Sequence, residues 1–353
     1  MGHDLGGVNC GGLLMHDTSV GLDCGTTYPD RLTRQRPGKA VLRWALLVCL
    51  AVQVETGWCE PPTMAVKADP AKASYLITEN DRPVLRYNFG TVPPPEGTKP
   101  EYARGDYISP LFGPSGEVLT EDYPKDHPHH RGVWWSWPVT RWKDEVRDIW
   151  AVVGVWSRPV AIRRAEGGAT HAVLEAESVW KWGDKDPIVK EEVLICAHKA
   201  EPAGRFIDIE VRLTGLADGV AIGGRPKGGY GGFAFRAAPT KDQQIIRHVD
   251  PPEAKPRRSW LDYSSVFPGG KEAAGVTIFE HPTNPGYPSE LQAYANINCV
   301  MPAFPGDREV PIPKGETLTL KHRLWIHPGR ADEKTLADVW SAYAHPPQAS
   351  HAK

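Results

Sequence analysis

Short runs in which apolar and polar residues alternate dominate the chain after about residue 70. The clearest run is residues 206–213, where Ile207, Ile209, Val211 and Leu213 alternate with polar side chains. Successive side chains of a β-strand point to opposite faces, so this period of two predicts a strand with one buried face and one solvated face. Similar runs lie at residues 150–160, 172–180, 188–197, 230–237, 275–280, 292–300 and 317–327.

Glycine and proline separate these runs. The chain has 35 Gly and 34 Pro among 353 residues, a composition that disfavours long helices. Only residues 332–344 show helical spacing, with the apolar residues Leu336, Val339, Trp340 and Tyr343. Because helices do not alternate with the strands, a parallel sheet is disfavoured. The pattern predicts a mainly β fold: a large antiparallel two-sheet sandwich (supersandwich-like) as a single domain over residues 70–345, with one C-terminal helix.

The amino-terminal segment has a different character. Residues 1–40 show no periodicity, and we predict a non-native or disordered extension there. Basic residues then precede the apolar run 45–52, which is the pattern of a secretory signal peptide over residues 41–60. This apolar run is too short to cross a bilayer. The segment therefore predicts a secreted or periplasmic protein without a stable membrane span.

Composition and missing motifs exclude several classes of function. The formal net charge of −2 provides no basic surface of the kind that nucleic acid requires. The chain has no Gly-x-Ser-x-Gly elbow, no P-loop and no His-Glu-x-x-His, so nucleotide chemistry and serine hydrolysis are not indicated. Cys196 and Cys299 lie in apolar strand-like runs, which favours two buried thiols over a disulfide.

The densest group of functional side chains is Asp-His-Pro-His-His-Arg-Gly-Val-Trp-Trp-Ser-Trp at residues 126–137. Imidazole transfers protons near neutral pH or binds metals, guanidinium binds hydroxyls and carboxylates, and indole offers a flat face for stacking. In an extended backbone, His127, His129 and Arg131 would share one face while His130 would point to the other. We interpret this segment as the core of a functional site.

Three other segments supply candidate side chains. Residues 280–284 end a strand and enter a Pro/Gly loop, residues 260–263 offer a carboxyl and a phenol, and residue 236 is a strand arginine. The predicted catalytic residues are His127, His129, His281 and Asp262. The predicted substrate-binding residues are Arg131, Trp134, Trp137, Arg236, Tyr263 and Asn284.

Three functions fit these residues. The first is an enzyme acting on a sugar or glycoside, an epimerase, lyase or hydrolase, with one histidine as general acid and another, or Asp262, as general base. The second is an enzyme in which His127, His129 and His281 bind a divalent metal ion, the one cofactor that the residues suggest. The third is a non-catalytic carbohydrate-binding domain that uses the tryptophans. Each predicts a small-molecule or oligosaccharide partner and no nucleic acid.

Four strings occur in a fixed order: HPHHRGVWW at 127–135, WLDY at 260–263, EHPTN at 280–284 and LWIH at 324–327. Together they resemble an uncharacterised bacterial family whose members are often labelled "methane oxygenase PmoA", and the resemblance covers roughly residues 70–345. That label does not fit the sequence, because the methane monooxygenase subunit spans the membrane several times and this chain has no spanning run after residue 60. The resemblance implies secreted carbohydrate metabolism and a galactose-mutarotase-like sandwich.

Overall fold

The computed structural model describes residues 63–345, which all fall within one compact unit. The extension predicted for residues 1–40 and the signal peptide predicted for residues 41–60 lie outside the described residues. The strands in chain order are β1 (Met64–Asp69), β2 (Ser74–Glu79), β3 (Arg82–Asn88), β4 (Tyr107–Leu111), β5 (Val133–Ser136), β6 (Val139–Trp142), β7 (Glu145–Arg147), β8 (Val155–Glu166), β9 (His171–Trp182), β10 (Asp186–His198), β11 (Arg205–Gly215), β12 (Ala221–Gly223), β13 (Gly232–Arg236), β14 (Gln244–Val249), β15 (Ser259–Ser265), β16 (Ala274–Glu280), β17 (Glu290–Tyr294), β18 (Cys299–Ala303), β19 (Glu309–Pro311) and β20 (Thr317–Pro328). The helices are α1 (Glu333–Ala344) and three short 3₁₀ turns (Pro70–Lys72, Pro100–Tyr102 and Ala295–Ile297).

The strands form two large sheets and a small one. Sheet A has eight strands in the order β1-β2-β3-β4-β5-β13-β18-β17, and sheet B has eight in the order β14-β15-β16-β20-β11-β10-β9-β8. The four-stranded sheet C has the order β19-β12-β6-β7. Every pair of named strands is antiparallel. The predicted fold class is confirmed, and sheet C is an addition to it.

Sheets A and B pack against each other through one apolar core. Val133 and Phe233 enter it from sheet A, and Ile209 and Leu324 enter it from sheet B; all four are buried. Burying such side chains contributes roughly 1.5–3 kcal/mol each relative to leaving them in water. The alternation seen in residues 206–213 is thus the inner and outer face of β11.

Each large sheet also buries part of its outer face. On sheet A, Tyr107, Trp134 and Cys299 form a second cluster, because they alternate with residues that face the sandwich core. On sheet B, the outer cluster includes Trp325 and the helix residue Trp340, since α1 packs across that face. The predicted helix is confirmed: the side chain of its N-cap residue Asp332 accepts a hydrogen bond from the Thr335 backbone N–H at 2.7 Å.

Two of the predicted strands are wrong in detail. The run 292–300 is divided into β17 and β18 by the 3₁₀ turn Ala295–Ile297, after which Asn298 adopts the left-handed conformation with φ 50°. The run 150–160 becomes a strand only at Val155, because hydrogen bonds between Asp148 and Val153 close a turn before it. The run 292–300 contains no Gly or Pro to mark its turn, whereas Gly154, with φ 76°, directly follows the turn in the run 150–160.

Among residues 63–345, no helix is both long and apolar enough to cross a membrane. Cys196 and Cys299 are free thiols, the first half-buried and the second buried, in agreement with the expectation of unpaired cysteines.

His322 is a histidine whose burial in the sandwich core should make the stability of the fold depend on pH. Its position on the apolar face of β20 predicts a core histidine, and the structure confirms this: the side chain is buried and its ring stacks on Phe233 with 4.2 Å between the ring centroids. Burial lowers the pKa of His322 to about 3. Between pH 6.5 and 3 the unfolded chain therefore holds a proton that the folded chain does not, and the free energy of unfolding should fall as the pH falls.

We expect the H322F variant, which keeps the stack on Phe233, to lose this part of the pH dependence. Between pH 7 and pH 4 the difference in free energy of unfolding between wild type and variant should change by about 2–4 kcal/mol. Urea unfolding at intervals across this range measures it. Parallel stability curves for the two proteins would show that His322 is not held neutral by burial.

Candidate functional site

The histidine-rich segment folds as a turn. The backbone N–H of His130 donates to the carbonyl of His127 at 2.8 Å, so residues 127–130 close a β-turn with Pro128 at its second position. Proline is favoured there because its ring fixes the φ angle that such a turn requires. The expectation that His127, His129 and Arg131 lie along one face of an extended segment is therefore wrong.

The turn gathers all three imidazole rings. The ring centroids of His127 and His130 are 4.7 Å apart and the two planes are nearly parallel. His129 packs edge-on against both of them, at 5.7 Å from His127 and 4.7 Å from His130. An extended segment would have separated these rings. We call residues 127, 129 and 130 the histidine cluster.

The buried side chain of Arg131 stabilises this turn through hydrogen bonds to backbone carbonyls. Its Nη1 donates to the carbonyls of Pro128 at 2.8 Å and His130 at 2.6 Å, and its Nη2 donates to the carbonyl of Tyr102 at 2.6 Å. Its guanidinium lies over the ring of Tyr123, 3.4 Å from the centroid, a favourable cation–π position. The side chain is 0% exposed. Arg131 is therefore a positioning residue in this structure, contrary to the prediction that it contacts substrate.

Gly132, the next residue, allows the turn to lie close to sheet A. A Cβ atom on Gly132 would lie 2.4 Å from the carbonyl oxygen of Ile108 in β4 and 2.8 Å from Cβ of Thr120. Only a residue without a side chain allows this approach. The His-His-Arg-Gly order thus joins the histidine turn directly to β5.

Arg236 connects the histidine cluster to two carboxylates. Its Nη2 donates to Oδ1 of Asp126 at 2.7 Å, and its Nε donates to Oε2 of Glu121 at 3.1 Å. The other oxygen of Asp126 lies 3.0 Å from Nδ1 of His127. Nη1 of Arg236 lies 3.4 Å from Nδ1 of His130. Arg236 is buried, so it acts by orienting these neighbours.

These contacts assign the ring protons. A carboxylate only accepts, so the neutral ring of His127 carries its proton on Nδ1 and leaves Nε2 as the basic nitrogen. A guanidinium only donates, so Nδ1 of His130 accepts and its proton is on Nε2. The His127 side chain is 38% exposed. It is the member of the cluster that combines a carboxylate partner with access to solvent.

The protein environment keeps the other two histidines neutral. Burial, followed by the charges of His127 and the nearby arginines, lowers the pKa of His129 to about 4. Burial and the neighbouring histidines lower the pKa of His130 further. Burial raises the pKa of the Asp126 carboxyl, but hydrogen bonds from His127 and Arg236 outweigh it and hold that pKa below its usual value. At neutral pH an ionised Asp126 therefore faces His127.

The predicted stacking tryptophans are buried. Trp134 and Trp137 are both 0% exposed, so neither offers a free face to a sugar ring. Trp134 packs against Trp150 and His130, with ring centroids 4.9 and 5.1 Å away. Nε1 of Trp137 donates to the carbonyl of Phe304 at 2.9 Å. Both are structural here, because Trp134 belongs to the cluster on the outer face of sheet A and Trp137 belongs to the sandwich core.

Asp262 and Tyr263 lie in other parts of the fold. Asp262 is fully buried on the outer face of sheet B, where Oδ1 accepts from Oγ1 of Thr277 at 2.7 Å and lies 2.9 Å from Nε2 of His327. Tyr263 faces the sandwich core, and its hydroxyl donates to Oδ1 of Asn298 at 2.9 Å. Neither contacts the histidine cluster, so the predicted convergence with Asp262 is not observed.

His281 and Asn284 also lie on sheet B. Nδ1 of His281 accepts from the Thr283 backbone N–H at 3.2 Å, and its ring packs edge-on against Tyr343 of α1. Burial and the charge of Lys321 lower the pKa of His281. Asn284 hydrogen-bonds both backbone groups of Lys321, which fastens the loop to β20. The segment 280–284 is thus a loop anchor away from the histidine cluster.

The set of His127, His129 and His281 does not assemble as a metal site. Within residues 63–345, no three or more His, Cys, Asp or Glu side chains are grouped so that they could hold a metal ion. Several clefts lie elsewhere among residues 63–345. One of about 280 Å³ includes His281 and Tyr343 in its lining, and one of about 970 Å³ contains none of the predicted site residues.

The structure also shows a row of aromatic rings on the outer face of sheet A that no sequence motif indicates. Trp150 lies 5.5 Å from His130 and 5.5 Å from Tyr230, and Tyr230 lies 6.5 Å from Tyr294, between ring centroids. Tyr230 and Tyr294 are half-exposed. Both occur in runs that predict strands, where an aromatic residue is typical of a core, so no sequence signal marked their exposure.

Comparison with other proteins gives distant likenesses. No curated protein sequence matches the chain. Among solved structures, a heparan sulfate lyase from Pedobacter heparinus is similar at 9% identity and a TM-score of 0.36, over 73% of this chain and 34% of the lyase, so the chain spans about a third of that protein. A galactose 1-epimerase from Lactobacillus acidophilus NCFM is similar at 10% identity and a TM-score of 0.33, over 75% of this chain and 98% of the epimerase.

A protein-family model gives a closer assignment. It matches residues 74–341, a span that contains all four of the strings at 127–135, 260–263, 280–284 and 324–327. The expectation of an uncharacterised family is confirmed, and the matched family is not described as a methane oxygenase. The chain belongs to the family of unknown function DUF6807.

Proposed function

We propose that this protein is a carbohydrate-active enzyme that transfers a proton to or from a sugar on the outer face of sheet A, with His127 as the acid–base residue. The observation that carries the proposal is the chain of contacts from Arg236 through Asp126 to His127. It fixes the tautomer of a partly exposed imidazole and places an ionised carboxylate behind it.

The proton transfer can be written for a bound sugar. Nε2 of His127 accepts the proton of a substrate O–H or C–H bond, and the electron pair of that bond stays on the substrate. Asp126 stabilises the resulting imidazolium through Nδ1. His129, which is neutral at physiological pH, can accept or donate a hydrogen bond beside the reacting group. Proton removal of this kind is common to sugar epimerisation and elimination.

Carbohydrate is favoured by the chemistry around the histidines. The half-exposed rings of Tyr230 and Tyr294 lie on the same face and provide both flat surfaces and hydroxyl groups. The signal-peptide pattern of residues 41–60 also supports a carbohydrate substrate, because it predicts a secreted or periplasmic protein and saccharides are common substrates of such proteins.

A second candidate is a carbohydrate-binding protein without catalysis. The partly exposed rings of Tyr230 and Tyr294 favour it, because binding alone needs flat surfaces and no oriented base. The two candidates differ in the role of His127, which is essential to turnover in the first and dispensable in the second.

The test is a product screen with the purified protein and its H127A variant. Both are incubated with a panel of monosaccharides, glycosides and oligosaccharides, and products are followed by proton NMR. Epimerisation changes the sugar signals, elimination produces an unsaturated sugar, and hydrolysis releases new reducing ends. We expect one of these reactions in the wild type and its loss in H127A.

Two results would contradict the proposal. Equal turnover by wild type and H127A would remove His127 from the chemistry. Binding of saccharides without turnover, unaffected by H127A, would establish the second candidate in place of the first.

A further inference from the structure

The aromatic row leads away from the histidine cluster along the outer face of sheet A. It runs from His130 through Trp150 and Tyr230 to Tyr294 in three steps of 5.5, 5.5 and 6.5 Å. This path is longer than one pyranose ring. Trp150 is buried between His130 and Tyr230, whereas Tyr230 and Tyr294 are partly exposed.

The ring of Tyr294 is held in place through its hydroxyl group. That hydroxyl donates to Oε1 of Gln292 at 2.8 Å, and Nε2 of Gln292 donates to the carbonyl of Gly228 at 2.8 Å. The side chain of Gln292 is thus the link between β17 and the glycine-rich loop 224–231. A ring fixed in this way loses little conformational entropy when a ligand stacks on it.

Tyr230 is presented by that glycine-rich loop. Its carbonyl accepts from the Arg225 backbone N–H at 2.9 Å, and the N–H groups of Gly228 and Gly229 donate to the carbonyl of Arg225. Gly229 has a φ of 66°, a conformation that a glycine adopts without strain. The loop therefore has internal hydrogen bonds that set the position of the Tyr230 ring beside Tyr294.

We infer that Tyr230 and Tyr294 form a second sugar subsite, and that the substrate is an oligosaccharide or an extended glycoside with a further ring that stacks there while its reacting ring lies at the histidine cluster. The inference rests on the proposed function. A monosaccharide reaches only the histidine end of the row, whereas a longer saccharide contacts both ends. The pair of tyrosines acts in binding and takes no part in the proton transfer.

The experiment measures binding to an array of immobilised mono-, di-, tri- and tetrasaccharides built from hexoses, deoxyhexoses and uronic acids. Wild type, Y230A, Y294A and Y294F are compared, with the affinity of each hit then measured by calorimetry. We expect the best-bound series to gain affinity with length. Y230A and Y294A should weaken binding of the longer members about tenfold and leave monosaccharides unchanged, while Y294F keeps most of the affinity because it keeps the stacking face.

Y75A is the matched control, since Tyr75 is a half-buried tyrosine on β2 of the same sheet that packs against Phe89. Thermal unfolding of every variant checks that the fold is retained. Tyr230 and Tyr294 variants that bind long saccharides as wild type does would overturn the subsite. Turnover that still depends on His127 would then leave the proposed function intact. Conversely, turnover that does not depend on His127, together with the expected weakening in Y230A and Y294A, would remove the proposed function and leave the subsite.

Discussion

Replacing His127 with glutamine is expected to lower kcat on the saccharide substrate by about 10²- to 10⁴-fold, the usual contribution of a general acid or base. The amide of glutamine keeps the size and polarity of the side chain, but it cannot accept a proton where Nε2 of His127 does. KM should change far less than kcat, because the expected loss is in the transition state. Steady-state kinetics on the substrate found by the product screen measure both constants.

D126N is the companion variant. It should reduce kcat by a smaller factor, because His127 remains while the carboxylate that orients the ring and stabilises the imidazolium is lost. H171Q is the matched control, since His171 is an exposed histidine of β9 with a hydrogen bond to its neighbour Thr170. Full activity of H127Q, or an equal loss in H171Q, would contradict the assignment of His127.

The R131M variant is expected to lower the free energy of unfolding by about 3–5 kcal/mol, the usual cost of removing one partner from a buried charged group. Methionine fills most of the volume, but three carbonyls lose their hydrogen-bond donor and Tyr123 loses its cation. Asp122 also loses the guanidinium, whose Nε lies 3.5 Å from its Oδ1. Urea unfolding at pH 7 measures the change.

R163M is the control for this substitution. Arg163 pairs with Glu177 on the solvent side of β8 and is 54% exposed, so its removal should cost less than about 1 kcal/mol. A loss below about 1 kcal/mol in R131M as well would mean that solvent or other groups satisfy the freed carbonyls. Arg131 would then not be the residue that holds the histidine turn.

The strands and the helix follow from local patterns. The period of two in residues 206–213 corresponds to β11, and the helical spacing of residues 332–344 corresponds to α1. The buried position of His322 also follows from its parity along β20. These predictions succeed because alternation and helical spacing are properties of neighbouring residues in the chain, and the hydrophobic effect sorts the two faces in the same way wherever the strand lies.

The alternation of side chains between two faces does not hold at residues 127–130, because the backbone forms a turn there. An extended backbone is the expectation for residues 127–131, but Pro128 lies at the second position of the 127–130 turn. Proline is compatible with both conformations, since it fixes only φ. The carbonyl contacts of Arg131, including the one to Tyr102 at a distance of 29 residues along the chain, belong to the turn that formed.

The amino-acid sequence by itself determined that this chain is an antiparallel β protein with one helix and that residues 126–137 carry its densest group of histidine, arginine and tryptophan side chains. Only the tertiary structure decided which residues meet there. It placed Arg236 against Asp126, 110 residues earlier, and moved Asp262 and His281 to the other large sheet. It also buries Trp134 and Trp137 and leaves Tyr230 and Tyr294 partly exposed. The physical reason is that strand order and the packing of turns bring together residues that are distant in sequence, and such contacts leave no periodic signal in the chain.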